Sequence, residues 1–234
     1  MKKHLVVFLL LWGGAGLSAQ TVIQKFASVS KEAGMVADID LPQPTSKGSV
    51  IIAMPLLLTP DPKVDVKVVA VTDNAPAGGN TYKQVPGSAS SCTKQSVDIW
   101  YCENCNPGVT ELKFHLSGHV GATIDAFLEV SGLALSSVLD GSGVHLSDGA
   151  ATSAGLEVAP SITTTASDFI VDRYFSTPPL PTAVTPATWK YTTSFVYLVN
   201  GAPGTYQPTL TGGKAESGFC MSMAAFKVAA TAKH

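Results

Sequence analysis

A chain of 234 residues with 15 basic and 17 acidic side chains, a formal net charge of −2, has no bias toward polyanions. Only 14% of its residues are charged, against about 25% in an average soluble domain. Arg173 is the only arginine, so the guanidinium forks that usually read phosphate and guanine are missing, and nucleic acid is not an expected partner.

Residues 1–19 carry Lys2 and Lys3, an apolar run from Leu5 to Trp12 and small residues ending at Ser18-Ala19, the layout of a cleaved signal peptide. The apolar run is too short to cross a bilayer, and no later stretch is apolar for about 18 residues, so membrane insertion is not expected. The residue after Ala19 is Gln20 and not a cysteine, which disfavours a lipid anchor. The expectation is a secreted protein, extracellular or periplasmic, made of residues 20–234.

From Thr21 onward apolar residues alternate or come in short β-branched runs, bounded by Gly, Pro, Asn or Asp. Strands are predicted near residues 22–27, 35–41, 49–58, 64–71, 82–85, 96–103, 111–116 and 122–130. Others follow near 161–165, 168–175, 192–199, 205–211 and 218–228. Helical periodicity is absent. About a dozen short strands imply an all-β fold, a two-sheet antiparallel β-sandwich of jelly-roll-like kind. Long loops are predicted near 138–160, which is Gly-rich, and 176–188, which is Pro-rich. The strands after 188 are too few to bury their own core, so residues 20–234 are read as a single domain.

"IWYCENCNPGV" places Cys102 and Cys105 three apart. A redox pair needs a helix N-terminus to lower the thiol pKa, but Asn106-Pro107-Gly108 and an alternating stretch follow. A zinc site needs a second ligand pair, and none stands at the usual spacing. Exported thiols normally pair, and a four-residue turn brings its end Cα atoms within about 7 Å, close enough for Cys102–Cys105. Joining Cys92 to Cys102 is harder, because a strand over 96–102 spans about 20 Å. Of the three connectivities, geometry favours Cys102–Cys105 with Cys92–Cys220.

Other constellations have ordinary explanations. His115 and His119 are four apart but flank a Ser-Gly turn, and His145 sits alone in the Gly-rich stretch. Asp125 and Glu129, like Asp168 and Asp172, lie on one face of a strand with Cα atoms about 13 Å apart, wider than catalytic carboxyl pairs. Both pairs are expected on solvated faces. Nucleophile-elbow, phosphate-loop and zinc-protease motifs are absent. Asp73, Asn74 and Asn80 surround a Gly-rich turn, where grouped oxygens can hold calcium but where turn chemistry alone explains the residues. No other cofactor or metal is expected. Trp100 is predicted to be core. Trp189 and Tyr191, two apart after the Pro-rich segment, could face one way and stack on a sugar ring.

Several phrases together resemble secreted bacterial β-sandwich modules of jelly-roll kind. Val71, Asp73, Gly79, Asn80, Thr81 and Tyr82 match their first hairpin, and Ile99, Trp100 and Tyr101 a following strand. Glu129, Ser131, Gly132 and Leu133 match a strand end, and Ala225, Phe226 and Lys227 the closing strand. The resemblance covers roughly residues 45–228 and implies a fold without a shared activity or catalytic residues. Cysteines 102 and 105 depart from its pattern. The functional expectation is an exported, non-catalytic binding or surface module, with extracellular polysaccharide or surface glycan as ligand. The alternatives are a self-associating structural or adhesive protein and, third, a polysaccharide-degrading enzyme.

Overall fold

The structure is a computed structural model that describes residues 20–31, 34–59, 65–92, 95–140, 144–150, 156–175, 180–213 and 217–230. The predicted signal segment lies outside the described residues. The first half forms β1 (Thr21–Lys31), β2 (Val36–Asp40), β3 (Val50–Met54), β4 (Leu56–Leu58), β5 (Val68–Asp73), β6 (Lys83–Gln84), β7 (Ser90–Cys92), β8 (Gln95–Val97), β9 (Trp100–Cys102), β10 (Glu111–Leu116) and β11 (Ala122–Ser131). The second half forms β12 (Val144–Ala150), β13 (Glu157–Val158), β14 (Ile162–Thr164), β15 (Asp168–Tyr174), β16 (Ala183–Thr185), β17 (Lys190–Tyr191), β18 (Phe195–Gly201), β19 (Gly204–Tyr206), β20 (Thr209–Thr211) and β21 (Ser217–Lys227). The all-β expectation holds, and every described pairing between these strands is antiparallel. The Gly-rich stretch predicted as loop contains β12 and β13, and the Pro-rich one contains β16.

The largest sheet is built around β11, which carries β1 on one edge and both β3 and β4 on the other. β9 and β8 continue outward from β3 and β4, followed by β6 and β7. The predicted strand over 49–58 is interrupted at Pro55, which has no N–H to give the ladder. Opposite it, the predicted strand over 96–103 breaks at Asp98-Ile99, and the Asp98 N–H donates to the Pro55 carbonyl at 3.2 Å. Two facing interruptions bend the sheet.

Both faces of this sheet are covered. Ile51, Ala53, Trp100 and Phe127 pack with Ile39, Val71, Leu112 and Phe114 of the three-stranded sheet β2-β10-β5. Val50, Ile52, Met54, Leu128 and Val130 point the other way, onto Phe169, Val171, Phe195 and Phe226 of the five-stranded sheet β12-β21-β15-β18-β17. The far face of that sheet buries Ile170, Val196, Leu198, Met221 and Met223 against Ile162, Val184 and Leu210 of two small sheets. Among the described residues there are thus five sheets where two were predicted. A strand buried on both faces loses alternation and becomes a continuous apolar run, as in the "VIIAM" of β3. Each fully buried Ile, Leu or Phe in these seams stabilises by about 1.5–3 kcal/mol.

This layering corrects the reading of the acidic pairs. Asp125, Glu129, Asp168 and Asp172 are all at 0% exposure, because β11 and β15 are internal strands with no solvated face. Glu129 accepts from Gln24 Nε2 at 2.7 Å and from the Ser46 N–H at 2.6 Å. Asp125 accepts from the Thr123 hydroxyl at 2.6 Å. Arg173, also buried, ties the five-stranded sheet to the large one by donating from Nε to Met54 O at 3.1 Å and from Nη2 to Ile124 O at 2.6 Å.

Candidate functional site: a cleft at the bend of the large sheet

The bend leaves a cleft of about 300 Å³. Its inner wall comes from the interruption itself: Pro55, Leu57, Ser96, Val97 and Asp98. Ala89, Ser90 and Ser91 on and before β7 form one side, and the approach to β5, with Asp65, Lys67, Val68 and Val69, forms the other. Gln84 closes one end. Val69 is exposed, and Lys67 and Asp65 pair at 2.9 Å on the rim. The lining therefore combines serine hydroxyls, an amide and a carboxylate with a strip of aliphatic side chains.

Asp98 anchors this wall. Its Oδ1 accepts from Ser88 Oγ at 2.7 Å and from the Ile99 N–H at 2.8 Å, and its Oδ2 from Gln84 Nε2 at 2.6 Å and Trp100 Nε1 at 2.8 Å. Burial holds the carboxyl above its ordinary range, and the donors from Ser88, Gln84, Trp100 and Ile99 offset only part of that rise. With both oxygens engaged on each side, Asp98 fixes the shape of the bend and presents no idle oxygen to the cleft.

The aromatic pair singled out in the sequence is not a ligand platform. Trp189 is 3% exposed and packs edge-on against Tyr206, with ring centroids 6.5 Å apart, inside the core of the second half. Its faces are closed to a sugar. Tyr191 is half-buried beside it and donates its hydroxyl to the Pro181 carbonyl. The two-residue spacing did place both rings on one side, but that side is the interior. Trp100 is buried, as predicted.

The side-chain oxygens around the Gly-rich turn are engaged in hydrogen bonds. Asp73 accepts from the N–H groups of Ala75 and Asn80 at 3.1 and 3.2 Å, from Asn80 Nδ2 at 2.7 Å and from the Tyr82 hydroxyl at 2.8 Å. Asn74 Oδ1 accepts from Thr110 and Glu111, and Asn80 Oδ1 from Asn106. These bonds close the turn between β5 and β6, which lie in different sheets and do not form the hairpin expected here. His115 lies 2.9 Å from the Thr72 hydroxyl, and the His145 side chain lies outside the described residues. Among the described residues no three His, Cys, Asp or Glu side chains gather in one place.

Cys102 and Cys105 form a disulfide with Cα atoms 5.8 Å apart, in the turn after β9. Asn104 within it has a φ of 52°, the left-handed conformation that Asn tolerates. Cys220 is buried and disulfide-bonded, while the Cys92 side chain lies outside the described residues. The cleft residues Gln84, Ser91, Ser96 and Asp98 were not found from the sequence. Their one local signal is Pro55 in the middle of an apolar run, which marks a break without saying what gathers there.

No family model and no curated protein matches this chain. Among solved structures, a cryo-EM structure of the T=1 Penaeus vannamei nodavirus is similar at 12% identity and a TM-score of 0.27, over 92% of this chain and 84% of that one. A likeness of that size carries no argument about fold or function.

Proposed function

We propose that the protein is an exported, non-catalytic binding module whose cleft at the Pro55 bend takes a neutral, hydroxyl-rich ligand, an extracellular polysaccharide or surface glycan. The observation that carries this reading is the lining itself. Serine hydroxyls and the Gln84 amide can exchange hydrogen bonds with sugar hydroxyls, while the exposed Val69 offers contact to the C–H face of a ring. A volume of about 300 Å³ suits one or two sugar units at the small end of ligand sites. The Cys102–Cys105 disulfide supports an oxidising compartment, and the jelly-roll-like modules the sequence resembles provide a setting for such a role.

Two carboxyls line the cleft, which raises the hydrolase reading. Against it, Asp98 has both oxygens committed and Asp65 is exposed and paired with Lys67. A general acid must instead bring a proton-bearing oxygen to the leaving group. Edge-to-edge assembly has its surface at β1, where Phe26 and Val29 are exposed. That edge carries a β-bulge between Val22 and Gln24 and the charge of Lys25, features natural sheets use to discourage pairing.

The test is a glycan array followed by calorimetry on residues 20–234 and on Ser91→Trp, which fills the cleft from an exposed position. Neutral oligosaccharide binding should fall tenfold or more in the variant while the circular dichroism spectrum is unchanged. Absence of glycan affinity in the parent protein, or affinity indifferent to Ser91→Trp, refutes the assignment. Concentration-dependent sedimentation without glycan affinity would transfer the reading to assembly.

A further inference from the structure

Arg173 is the chain's only arginine and sits at 1% exposure. Its guanidinium donates to four backbone carbonyls: Met54 and Tyr174 at 3.1 Å each, Ile124 at 2.6 Å, and Ser194. A guanidinium has five N–H groups, so one on Nη2 has no acceptor among the described residues. None of the described ion pairs includes it. The carboxyls whose field reaches it are Asp125 and Asp172, and burial raises both, Asp125 to about 7 and Asp172 well above its ordinary range. Removal from water in turn pulls Arg173 down to about 10. A buried cation with no ion pair among the described residues is costly, and an anion brought to it would relieve that cost.

Arg173 also lines a pocket of about 210 Å³ between the large and five-stranded sheets. The rest of the wall is largely apolar: Val29, Leu56, Ile124, Phe175 and Leu180. Thr193 joins it to a neighbouring groove of about 270 Å³ that runs beside β1 past Ala27 and Phe195. Lys25, on that groove, is turned to Tyr197, with Nζ 3.1 Å from the hydroxyl and 5.2 Å from the ring centre. The mouth at Val29 is 60% exposed. A positive charge beside an apolar channel open to solvent is the complement of an amphiphilic anion.

We infer that this pocket binds a small organic carboxylate with a short aliphatic chain, its carboxylate on Arg173 and its chain running past Ile124 and Phe175 toward the groove beside β1. The site is separate from the cleft at the bend and does not depend on it. The probes are octanoate and its uncharged counterpart octanamide, titrated by calorimetry into the protein, into Val29→Trp and into Ser91→Trp. Octanoate should bind saturably at one site per chain, at least tenfold more tightly than octanamide. Val29→Trp, a change at an exposed position, should weaken octanoate tenfold or more, and Ser91→Trp should leave it unchanged. Arg173→Met, if it folds, should abolish the preference for the charged probe. No octanoate binding, equal affinity for the two probes, or affinity untouched by Val29→Trp would each overturn the assignment, whatever glycan binding shows.

Discussion

Replacing Asp125 with asparagine should make the protein's stability less sensitive to pH, in a direction opposite to ordinary acid denaturation. Asp125 is fully buried on β11 with one hydrogen-bond donor among the described residues, Thr123, and burial raises its pKa from 3.8 to about 7. An acid whose pKa is raised on folding holds its proton more tightly in the native state. Its contribution is complete below about pH 4, declines as pH rises and is spent above about pH 7. At 1.36 kcal/mol per pKa unit, the change across that window is about 4 kcal/mol. The asparagine side chain keeps an oxygen for the Thr123 hydroxyl and carries no titratable proton. Whatever its amide costs in packing is nearly the same at every pH, so it cancels when the substitution is compared between pH 4 and pH 8. Urea unfolding of the parent protein and of Asp125→Asn across pH 4–8 should give a stability difference that shifts in favour of the variant by about 4 kcal/mol from the acid to the alkaline end. Parallel pH profiles for the two proteins would refute the reasoning, since they would mean that Asp125 ionises in the folded state as easily as in the unfolded one.

Two further outcomes follow from the packing. Trp189→Ala empties a buried site beside Tyr206 and should cost about 3–5 kcal/mol in denaturant unfolding while leaving glycan affinity of the folded protein unchanged. Cys102→Ser with Cys105→Ser opens a four-residue loop, for which chain entropy gives a loss of about 2 kcal/mol, measurable as a lower urea midpoint at an unchanged m-value.

Much of the fold is legible in the sequence because its strands obey short-range rules. The turn of Asp73, Asn80 and Tyr82, the predicted burial of Trp100 and the Cys102–Cys105 bridge depend on residues within about ten positions of one another, where steric and hydrogen-bond preferences act directly. The misreadings arise where a third layer decides. In "DAFLE", alternation sets Asp125 and Glu129 opposite Ala126 and Leu128, but it cannot say that Phe114 and Leu112 will cover the acidic side as well. Trp189 follows a Pro-rich segment and looks peripheral until Leu210 and Tyr206 close over it. The cleft is invisible for a similar reason: Gln84, Ser91 and Asp98 meet only because two interruptions, at Pro55 and at Asp98-Ile99, fall opposite each other.

The pairing of β1 with β11 bears on how the molecule is made. Thr21 sits opposite Ser131, 110 residues later, and the two strands stay paired to Lys31 opposite Ala122. A chain delivered N-terminus first must hold β1 without its β11 neighbour until the 110 residues after Thr21, up to Ser131, have emerged. Such distant closure slows folding and leaves an apolar stretch open to wrong neighbours in the interval. Lys25 and Lys31 lie in that segment, charges of the kind that natural sequences place beside exposed apolar strands.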